Sequence, residues 1–174
     1  ANVGGNGSLL LNLTDPAQVR EAFDRDRPAA VLHLAAAADP NWCQQNQEKA
    51  FAINVLATRI IAECCNNHKS WLIFASTDLV FSGLHPPYTE ASQPDPINIY
   101  GQQKFISERD LQSIVPVSHS ICRLPLMYGP PGPGGREPLQ FLWQGLQNSI
   151  PVSLFFDEFR TPASTRSVSE GLLI

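Results

Sequence analysis

The sequence lacks several features that would assign it to common functional classes. It has no CxxC pair, and adjacent Cys64 and Cys65 make a poor disulfide framework, so we expect a reducing, cytoplasmic compartment. It has no basic excess, since 12 Lys and Arg stand against 16 Asp and Glu, which argues against nucleic-acid or membrane partners. It has no apolar run of membrane-spanning length and no signal peptide. No spacing of His, Cys and Asp suits zinc, so no metal site is predicted.

Enough apolar sequence is present for a folded core. Hydrophobic residues make up 43% of the 174 residues and charged residues 16%, which is typical of a globular protein rather than a disordered chain. The length allows one domain or two small ones. Because the chain starts at Ala1 without Met and stops within the apolar run 171–174, we expect a fragment of a longer chain.

Short apolar runs alternate with helical patterns along the chain. Strands are predicted at 29–34, 71–75, 117–123 and 152–156, with a short edge strand at 9–13. Helices are predicted at 17–27, 48–65, 97–114 and 139–147. The first two long strands are continuously apolar, as in a parallel sheet covered on both faces. The alternation predicts an α/β fold with right-handed crossovers.

The strongest chemical signal is Tyr100 four residues before Lys104 on a predicted helix. Positions i and i+4 share one helix face. A phenol with an ordinary pKa of about 10 is a poor acid or base at neutral pH, but a lysine ammonium one turn away would lower that pKa. The pair could then pass a proton to or from a carbonyl or alcohol oxygen. By itself the pattern is weak, because a half-exposed tyrosine beside a solvated lysine is the commoner explanation.

Hydroxyl side chains follow directly on the strand predicted at 71–75. Ser76, Thr77 and Asp78 would lie at the carboxyl end of a parallel strand, where ligands bind in open α/β sheets. Thr77 could donate a hydrogen bond to the substrate oxygen that Tyr100 protonates. The alternative is that Ser76 or Asp78 only caps a turn.

These motifs together resemble a known family. The run LIFASTDLVFSG at 72–83, followed by PPYTE and PINIYGQQKFISE, resembles extended short-chain dehydrogenase/reductases of the NAD-dependent epimerase/dehydratase superfamily. Within them it is most similar to the dTDP-4-dehydrorhamnose reductase branch. Further segments agree with that branch: HLAA at 33–36, AFAINVLAT at 50–58, RLPLMYGP at 123–130 and NLTD at 12–15.

The resemblance implies a doubly wound, parallel-sheet Rossmann-type fold whose amino-terminal glycine-rich βαβ unit is missing from this fragment. Residues 1–124 would be an incomplete NAD(P)-binding domain without its first βα unit, and residues 125–174 the truncated start of a smaller substrate-binding lobe. The glycines within residues 4–7 do not fit the pyrophosphate-binding turn, because no strand precedes them and no long helix follows.

The resemblance also implies roles for individual residues. Thr77 would orient the keto oxygen, Tyr100 would act as acid or base, and Lys104 would lower the tyrosine pKa and hold the nicotinamide ribose. The cofactor, NADP or NAD, would contact Tyr100 and Lys104 and also Asn12, Leu13, Ala35, Ala36, Ala37, Asn54, Ser76, Pro125, Leu126 and Met127. A sugar nucleotide substrate would contact Asp78, Val80, Phe81, Asn98, Arg136 and Arg160.

Three functional hypotheses follow from the resemblance. The first is an NAD(P)H-dependent reductase of a keto sugar, in which Tyr100 passes the proton while hydride passes between nicotinamide and carbon. The second is a nucleotide-sugar epimerase of the same fold. The third is a non-catalytic NAD(P)-binding regulatory subunit like that of methionine adenosyltransferase, which would suit Leu79 and Ser167 where the branch has Tyr and Asp.

Several properties stay open at this point. The choice between NADH and NADPH depends on residues at the end of a strand expected before residue 1. A homodimer is one alternative, because this family commonly dimerises through the helices predicted at 48–65 and 97–114. The fragment itself is expected to be inactive, since part of the cofactor site would be absent.

Overall fold

A computed structural model describes residues 3–4, 8–115, 118–130, 140–154, 156–157 and 159–173 of the chain. They divide into two compact units, Ala1–Arg123 and Leu124–Ile174. That the first is part of an NAD(P)-binding domain and the second part of a substrate-binding lobe stays a prediction. Within the described residues, no helix has both the length and the apolar character needed to cross a bilayer.

Parallel strands form the centre of the first unit. Its strands are β1 (Val3–Gly4), β2 (Ser8–Leu9), β3 (Ala30–His33), β4 (Trp71–Thr77) and β5 (His119–Leu124). β1 and β2 form a separate antiparallel pair. The main sheet has the order β3-β4-β5, and β3 runs parallel to β4 with Ala30 opposite Trp71 and His33 opposite Phe74. This arrangement confirms the predicted α/β class.

Helices connect the strands of the first unit. They are α1 (Pro16–Asp26), α2 (Pro40–Gln45), α3 (Gln47–Phe51), α4 (Ala57–His68) and α5 (Ile99–Ile114). A π-helical segment, Ala52–Leu56, joins α3 to α4, and a one-turn 3₁₀ helix, Asp78–Val80, follows β4. α1 begins as its sequence predicts, because the Asp15 carboxylate accepts hydrogen bonds from the Ala17 and Gln18 amides and Pro16 needs no amide partner.

One apolar cluster packs α1, α4 and α5 against the sheet. Its buried members are Val19, Phe23, Ile61, Ala62, Cys64, Cys65, Leu72, Phe74, Leu111 and Val115. Burial raises the pKa of the Cys65 thiol to about 12, so this residue is an unreactive apolar filler. The cluster anchors the two elements, β4 and α5, that carry the residues of the predicted site.

Several element predictions are wrong in detail. The strand predicted at 152–156 does not form, since none of the described residues in that range has regular structure, and the strand predicted at 9–13 shortens to β2. The helix predicted at 48–65 is divided by the π-helical segment. α2 was not predicted, although Asp39 and Pro40 repeat the signal that opens α1.

The second unit is smaller and has little regular structure. Its elements are β6 (Met127–Tyr128), α6 (Gln140–Gln147), β7 (Ala163–Ser164) and α7 (Thr165–Leu172). β6 pairs in parallel with β7, and Ser164 caps α7 by accepting from the Ser167 amide. A Cβ atom on Gly129 would lie 2.3 Å from Thr165 Oγ1, so the turn after β6 requires glycine.

Candidate active site

β4 and α5 bring Thr77 and Tyr100 together at the carboxyl end of the sheet. Thr77 is the last residue of β4, and its Oγ1 accepts a hydrogen bond from the Leu79 amide at 3.2 Å. Thr77 Oγ1 also donates to Asp78 Oδ1 at 3.3 Å. Thr77 is 6% and Tyr100 8% exposed. The threonine at a strand end and the tyrosine on a later helix therefore lie near each other, close enough for Thr77 to lower the pKa of the phenol.

The start of α5 is built to place Tyr100. Asn98 caps the helix, since its Oδ1 accepts a hydrogen bond from the Gly101 amide at 2.8 Å. A Cβ atom on Gly101 would lie only 2.1 Å from the Leu79 carbonyl oxygen. Only glycine lets the first turn of α5 approach the 3₁₀ helix so closely. The Asn98 side chain, predicted to contact substrate, thus has a local structural role in this structure.

The pKa of Tyr100 differs from the sequence-based expectation. The pKa of Tyr100 is raised to about 12, mainly by burial and then by Cys43 and Asp78, while Thr77 acts in the opposite direction. The expected lowering of the phenol pKa by Lys104 is therefore not what the structure shows. Desolvation outweighs the effect of the neighbouring amine, so Tyr100 is a protonated phenol at neutral pH.

Lys104 lies one turn after Tyr100 and is only 2% exposed. Burial lowers the pKa of its amine to about 7, and the Glu108 carboxylate opposes this shift. Its Nζ stands 3.9 Å from the centroid of the Phe74 ring on β4. Because this amine titrates near neutral pH, it can take up or release a proton under physiological conditions, which an exposed lysine does not do.

Asn54 fixes the chain segment that follows β3. Its Oδ1 accepts from the Ala37 amide at 2.8 Å, and its Nδ2 donates to the Ala37 carbonyl at 3.2 Å and to Gln103 Oε1 at 2.9 Å. Ala36 and Ala37 pack against the small cluster of Cys43, Ala50 and Tyr100. Asn54 and these alanines, all predicted cofactor contacts, are thus joined to one another next to the cluster that holds the tyrosine. Gln103 was missed, although its position one residue before Lys104 could have drawn attention to it.

The π-helical segment exposes a carbonyl that anchors α5. The backbone oxygen of Asn54 accepts hydrogen bonds from the Thr58 and Ser107 hydroxyls, both at 2.8 Å. π-Helical turns are rare and are frequent at functional sites. Hydrophobic periodicity did not predict the interruption, but a polar Asn within an apolar helical run, four residues before Thr58, is the sequence signal that could have found it.

Ser76 and Arg123 both contact the buried carboxylate of Glu108. Ser76 Oγ donates to Oε1 at 2.5 Å, and Arg123 Nη2 donates to Oε2 at 2.7 Å. Glu108 is 2% exposed and follows Lys104 by one helical turn. Ser76, predicted as a cofactor contact, is thus engaged with an acidic residue that sequence reasoning did not select.

Other predicted site residues occupy different surroundings. Val80 has no exposed surface, so it packs in the interior instead of offering a contact to substrate. The Asn12 side chain is exposed and accepts from the Thr14 amide and hydroxyl, while Leu13 packs against the apolar cluster. Phe81 stacks on Tyr88 with ring centroids 4.3 Å apart.

The remaining predicted contacts are not tested by the geometry of the first unit. Arg136 lies outside the described residues. Pro125, Leu126, Met127 and Arg160 belong to the second unit, and their assigned roles stay predictions. Asp78 and Ala35 are accessible beside Thr77 and Ala36 respectively, and their roles stay predictions as well.

The chain is similar in sequence to a known family and to several characterised proteins. The sequence pattern of a family described as the RmlD substrate binding domain matches residues 3–174. Methionine adenosyltransferase 2 subunit beta of Xenopus laevis is 37% identical over 120 residues, which cover 68% of this chain and 35% of that protein. A dTDP-4-keto-6-deoxy-D-glucose reductase of Streptomyces niveus is 32% identical over 120 residues, covering 68% and 42%.

Solved structures agree with the fold. The crystal structure of dTDP-4-dehydrorhamnose reductase from Bacillus anthracis in complex with NADP superposes with a TM-score of 0.86 at 25% identity, covering 95% of this chain and 59% of that chain. This likeness confirms the Rossmann-type α/β fold. The chain spans about a third of the length of the first curated relatives it matches.

Proposed function

The chain belongs to the RmlD substrate-binding domain family, and from that premise we propose that it is part of an NAD(P)H-dependent reductase of a nucleotide-linked keto sugar. One observation carries the proposal. Thr77 and Tyr100 lie buried near each other at the carboxyl end of a parallel sheet, with the buried amine of Lys104 one helical turn away. Relatives that are reductases of dTDP-linked keto sugars support the substrate class.

The residues present fit a nicotinamide cofactor. Three consecutive alanines, Ala35 to Ala37, follow β3 and are exposed or partly exposed, so a ligand could approach their backbone without meeting a bulky side chain. Asn54 fixes Ala37 on both its amide and its carbonyl, and Lys104 would hold the ribose. NADPH or NADH supplies a hydride to the carbonyl carbon when bound. A relative of this chain was solved with NADP, which supports this choice of cofactor.

The chain's own residues handle the proton. Thr77 orients the keto oxygen by donating a hydrogen bond, and Tyr100 donates its phenolic proton to that oxygen as it becomes an alcohol. Because burial keeps the Tyr100 pKa at about 12, the phenol is in the protonated form needed for donation. Lys104, with a pKa of about 7, returns a proton to the phenolate after each turnover. The surrounding burial excludes water that would compete as the donor.

The proposal is tested by the intact protein incubated with NADPH or NADH and a dTDP-4-keto sugar. We expect loss of absorbance at the reduced-nicotinamide band and formation of the reduced sugar. Tyr100→Phe should lower turnover by at least about 100-fold, as removal of a general acid does, while cofactor binding persists. Tyr88→Phe is the matched control, because it removes an exposed tyrosine hydroxyl and keeps the stack on Phe81. Turnover unaffected by Tyr100→Phe would contradict the assignment.

A second candidate is a non-catalytic regulatory subunit. It is favoured by the identity of 37% to methionine adenosyltransferase 2 subunit beta, against 32% to a reductase. Such a protein would bind NADPH without consuming it and would change the activity of a methionine adenosyltransferase catalytic subunit added to it. A third, nucleotide-sugar epimerisation with NAD, would instead convert a UDP-sugar without net change in nicotinamide absorbance.

A further inference from the structure

A buried carboxylate lies beside the proposed proton-transfer residues without a role in the steps above. Glu108 is on α5, one turn after Lys104 and two turns after Tyr100, and it is 2% exposed. Burying an ionised carboxylate is costly unless it is paired and hydrogen-bonded. A buried charge at this place is therefore expected to have a function.

Two strands hold the Glu108 carboxylate in one orientation. From β4, Ser76 Oγ donates to Oε1 at 2.5 Å. From β5, Arg123 donates through Nε to Oε1 at 3.1 Å and through Nη2 to Oε2 at 2.7 Å. Such two-pronged arginine contacts fix the plane of a carboxylate as well as its position. The guanidinium also lies over the Phe81 ring, 5.0 Å from its centroid, so it is itself held in place.

Lys104 is surrounded by groups of different charge on several elements. On α5 these are Tyr100 and Glu108, and the other elements contribute His33 on β3 and, through Glu108, Arg123 on β5; Cys43 on α2 and Asp78 after β4 act on the neighbouring Tyr100. Of these, Glu108 is the group that raises the pKa of the Lys104 amine, against the effect of burial. A carboxylate and an amine at positions i and i+4 of a helix face the same side.

We propose that Glu108, fixed by Ser76 and Arg123, is a positioning residue whose carboxylate holds the charged form of Lys104 beside Tyr100. It does not touch substrate, and it acts only through the lysine. Arg123 has the opposite effect on Lys104, because it balances part of the carboxylate charge. The importance of Glu108 for catalysis rests on the proposed function, but its effect on the charge of Lys104 does not.

The test follows the Lys104 amine directly. The chain has three lysines, of which Lys49 and Lys69 are exposed. ¹³C-labelled lysine in this chain therefore gives few signals, and Lys104→Met assigns the one of interest. We expect Glu108→Gln to lower the midpoint of the Lys104 titration by about 1 pH unit, since a nearby opposite charge is lost. We expect Arg123→Gln to raise that midpoint. General loosening of the fold would hydrate the Lys104 amine and raise its pKa. A lower midpoint is therefore explained by loss of the Glu108 charge and not by loosening.

A matched control lies on the same helix. Asp110 forms an ion pair with Arg59 of α4 at 2.5 Å, so Asp110→Asn also removes a paired carboxylate from α5, and it should leave the Lys104 midpoint unchanged. Glu108→Gln leaves the Arg123 charge uncompensated, which could prevent folding. In that case the double variant Glu108→Gln with Arg123→Met removes both charges, and it should still lower the midpoint of the Lys104 titration. A midpoint that stays within 0.3 pH unit in the folded Glu108 variant would overturn the proposal.

Activity provides a second readout where turnover is found. Glu108→Gln should move the high-pH limb of the kcat profile to lower pH by the same amount as the titration and leave KM nearly constant, and Glu108→Asp should partly restore the position of that limb. A protein without reductase activity but with the lysine shifts described above would refute the proposed function and leave the role of Glu108 intact.

Discussion

At the scale of single residues, the first unit buries polar groups that reduce its stability under some conditions. His33 on β3 is 3% exposed, and its Nε2 is 3.1 Å from the Thr58 hydroxyl. Because Thr58 donates its only hydroxyl hydrogen to the Asn54 carbonyl, the hydroxyl accepts from His33, which fixes Nε2 as the protonated nitrogen. The histidine is therefore a buried, hydrogen-bonded neutral group.

The titration of His33 predicts loss of stability in acid. Burial, with a contribution from Lys104, lowers its pKa from 6.5 to about 4. Between these values the unfolded state binds a proton that the folded state excludes, so the free energy of unfolding falls as pH drops from 6.5 to 4, by about 3 kcal/mol in all. His33→Gln should remove most of this dependence in urea unfolding measured from pH 7 to pH 4. The exposed His85→Gln should keep it, and an unchanged slope in His33→Gln would mean that other groups cause the loss.

Asn54 is the residue on which the local architecture depends most. Asn54→Ala would leave the Ala37 amide and carbonyl and the Gln103 amide oxygen without their partner. Unsatisfied buried groups cost about 1–3 kcal/mol each, so we expect a loss of about 3 kcal/mol in the free energy of unfolding and weaker NADPH binding. Asn46→Ala, which loses one exposed hydrogen bond to the Trp42 carbonyl, should cost less than 1 kcal/mol. Equal losses in the two variants would contradict the role given to the Ala37 contact.

At the scale of elements, Gly101 decides how α5 meets the turn after β4. Glycine to alanine in a helix normally stabilises by about 1 kcal/mol, but here the new Cβ would lie 2.1 Å from the Leu79 carbonyl oxygen. We therefore expect Gly101→Ala to destabilise the protein and, by moving Tyr100 from Thr77, to lower kcat more than it raises KM.

The control for this substitution lies in the second unit. A Cβ on Gly171 of α7 meets no atom within 4 Å, so Gly171→Ala should follow the ordinary rule and be neutral or stabilising. Thermal unfolding and steady-state kinetics of both variants decide the matter. Stabilisation by Gly101→Ala would show that the helix and the turn are not in such close contact.

The elements also show how far sequence patterns reach. Apolar runs located β3 and β4 well, although only β4 is largely buried and three of the four residues of β3 are exposed or partly exposed. The Asp–Pro signal located α1. The run 152–156 has the same apolar character, yet its described residues are exposed or partly exposed and form no strand. Periodicity reports a preference for burial, and only neighbours in space decide whether that preference is met.

The candidate site was predictable in part for a similar reason. Spacing on one helix fixed that Tyr100 and Lys104 share a face, and the strand-end position of Thr77 followed from the parallel sheet. The raised pKa of the Tyr100 phenol did not follow from the sequence, because desolvation depends on how deeply α5 is buried. Glu108 also escaped notice, since its partners Ser76 and Arg123 come from strands 32 and 15 residues away along the chain.

At the scale of the first unit as a whole, apolar and polar interiors are separated. The apolar cluster joins α1, α4 and α5 to the sheet. The buried polar and charged residues include six on α5 and β4: Ser76, Thr77, Gln103, Lys104, Ser107 and Glu108. Buried charge concentrated at one place is typical of a functional site.

The cost of that site should be visible in the alkaline pH dependence of folding. The Lys104 amine has a pKa of about 7 when folded and 10.5 when unfolded, so between these values the unfolded state binds the extra proton and the free energy of unfolding rises with pH. Above about pH 10, Tyr100 reverses the trend, because its folded pKa of about 12 lets the unfolded state lose a proton first. Lys104→Met should abolish the rise between pH 7 and 10, as urea unfolding would show.

Lys104→Met should also make the protein more stable than wild type at pH 7, because an apolar chain of similar length that can pack on Phe74 replaces a buried amine. The same substitution should abolish turnover, because the amine is lost. Lys49→Met, at an exposed position, should change neither property. If Lys104→Met were destabilising at pH 7, the amine would be contributing favourable interactions that outweigh its desolvation. Stability and proton transfer would then not be in conflict at this residue.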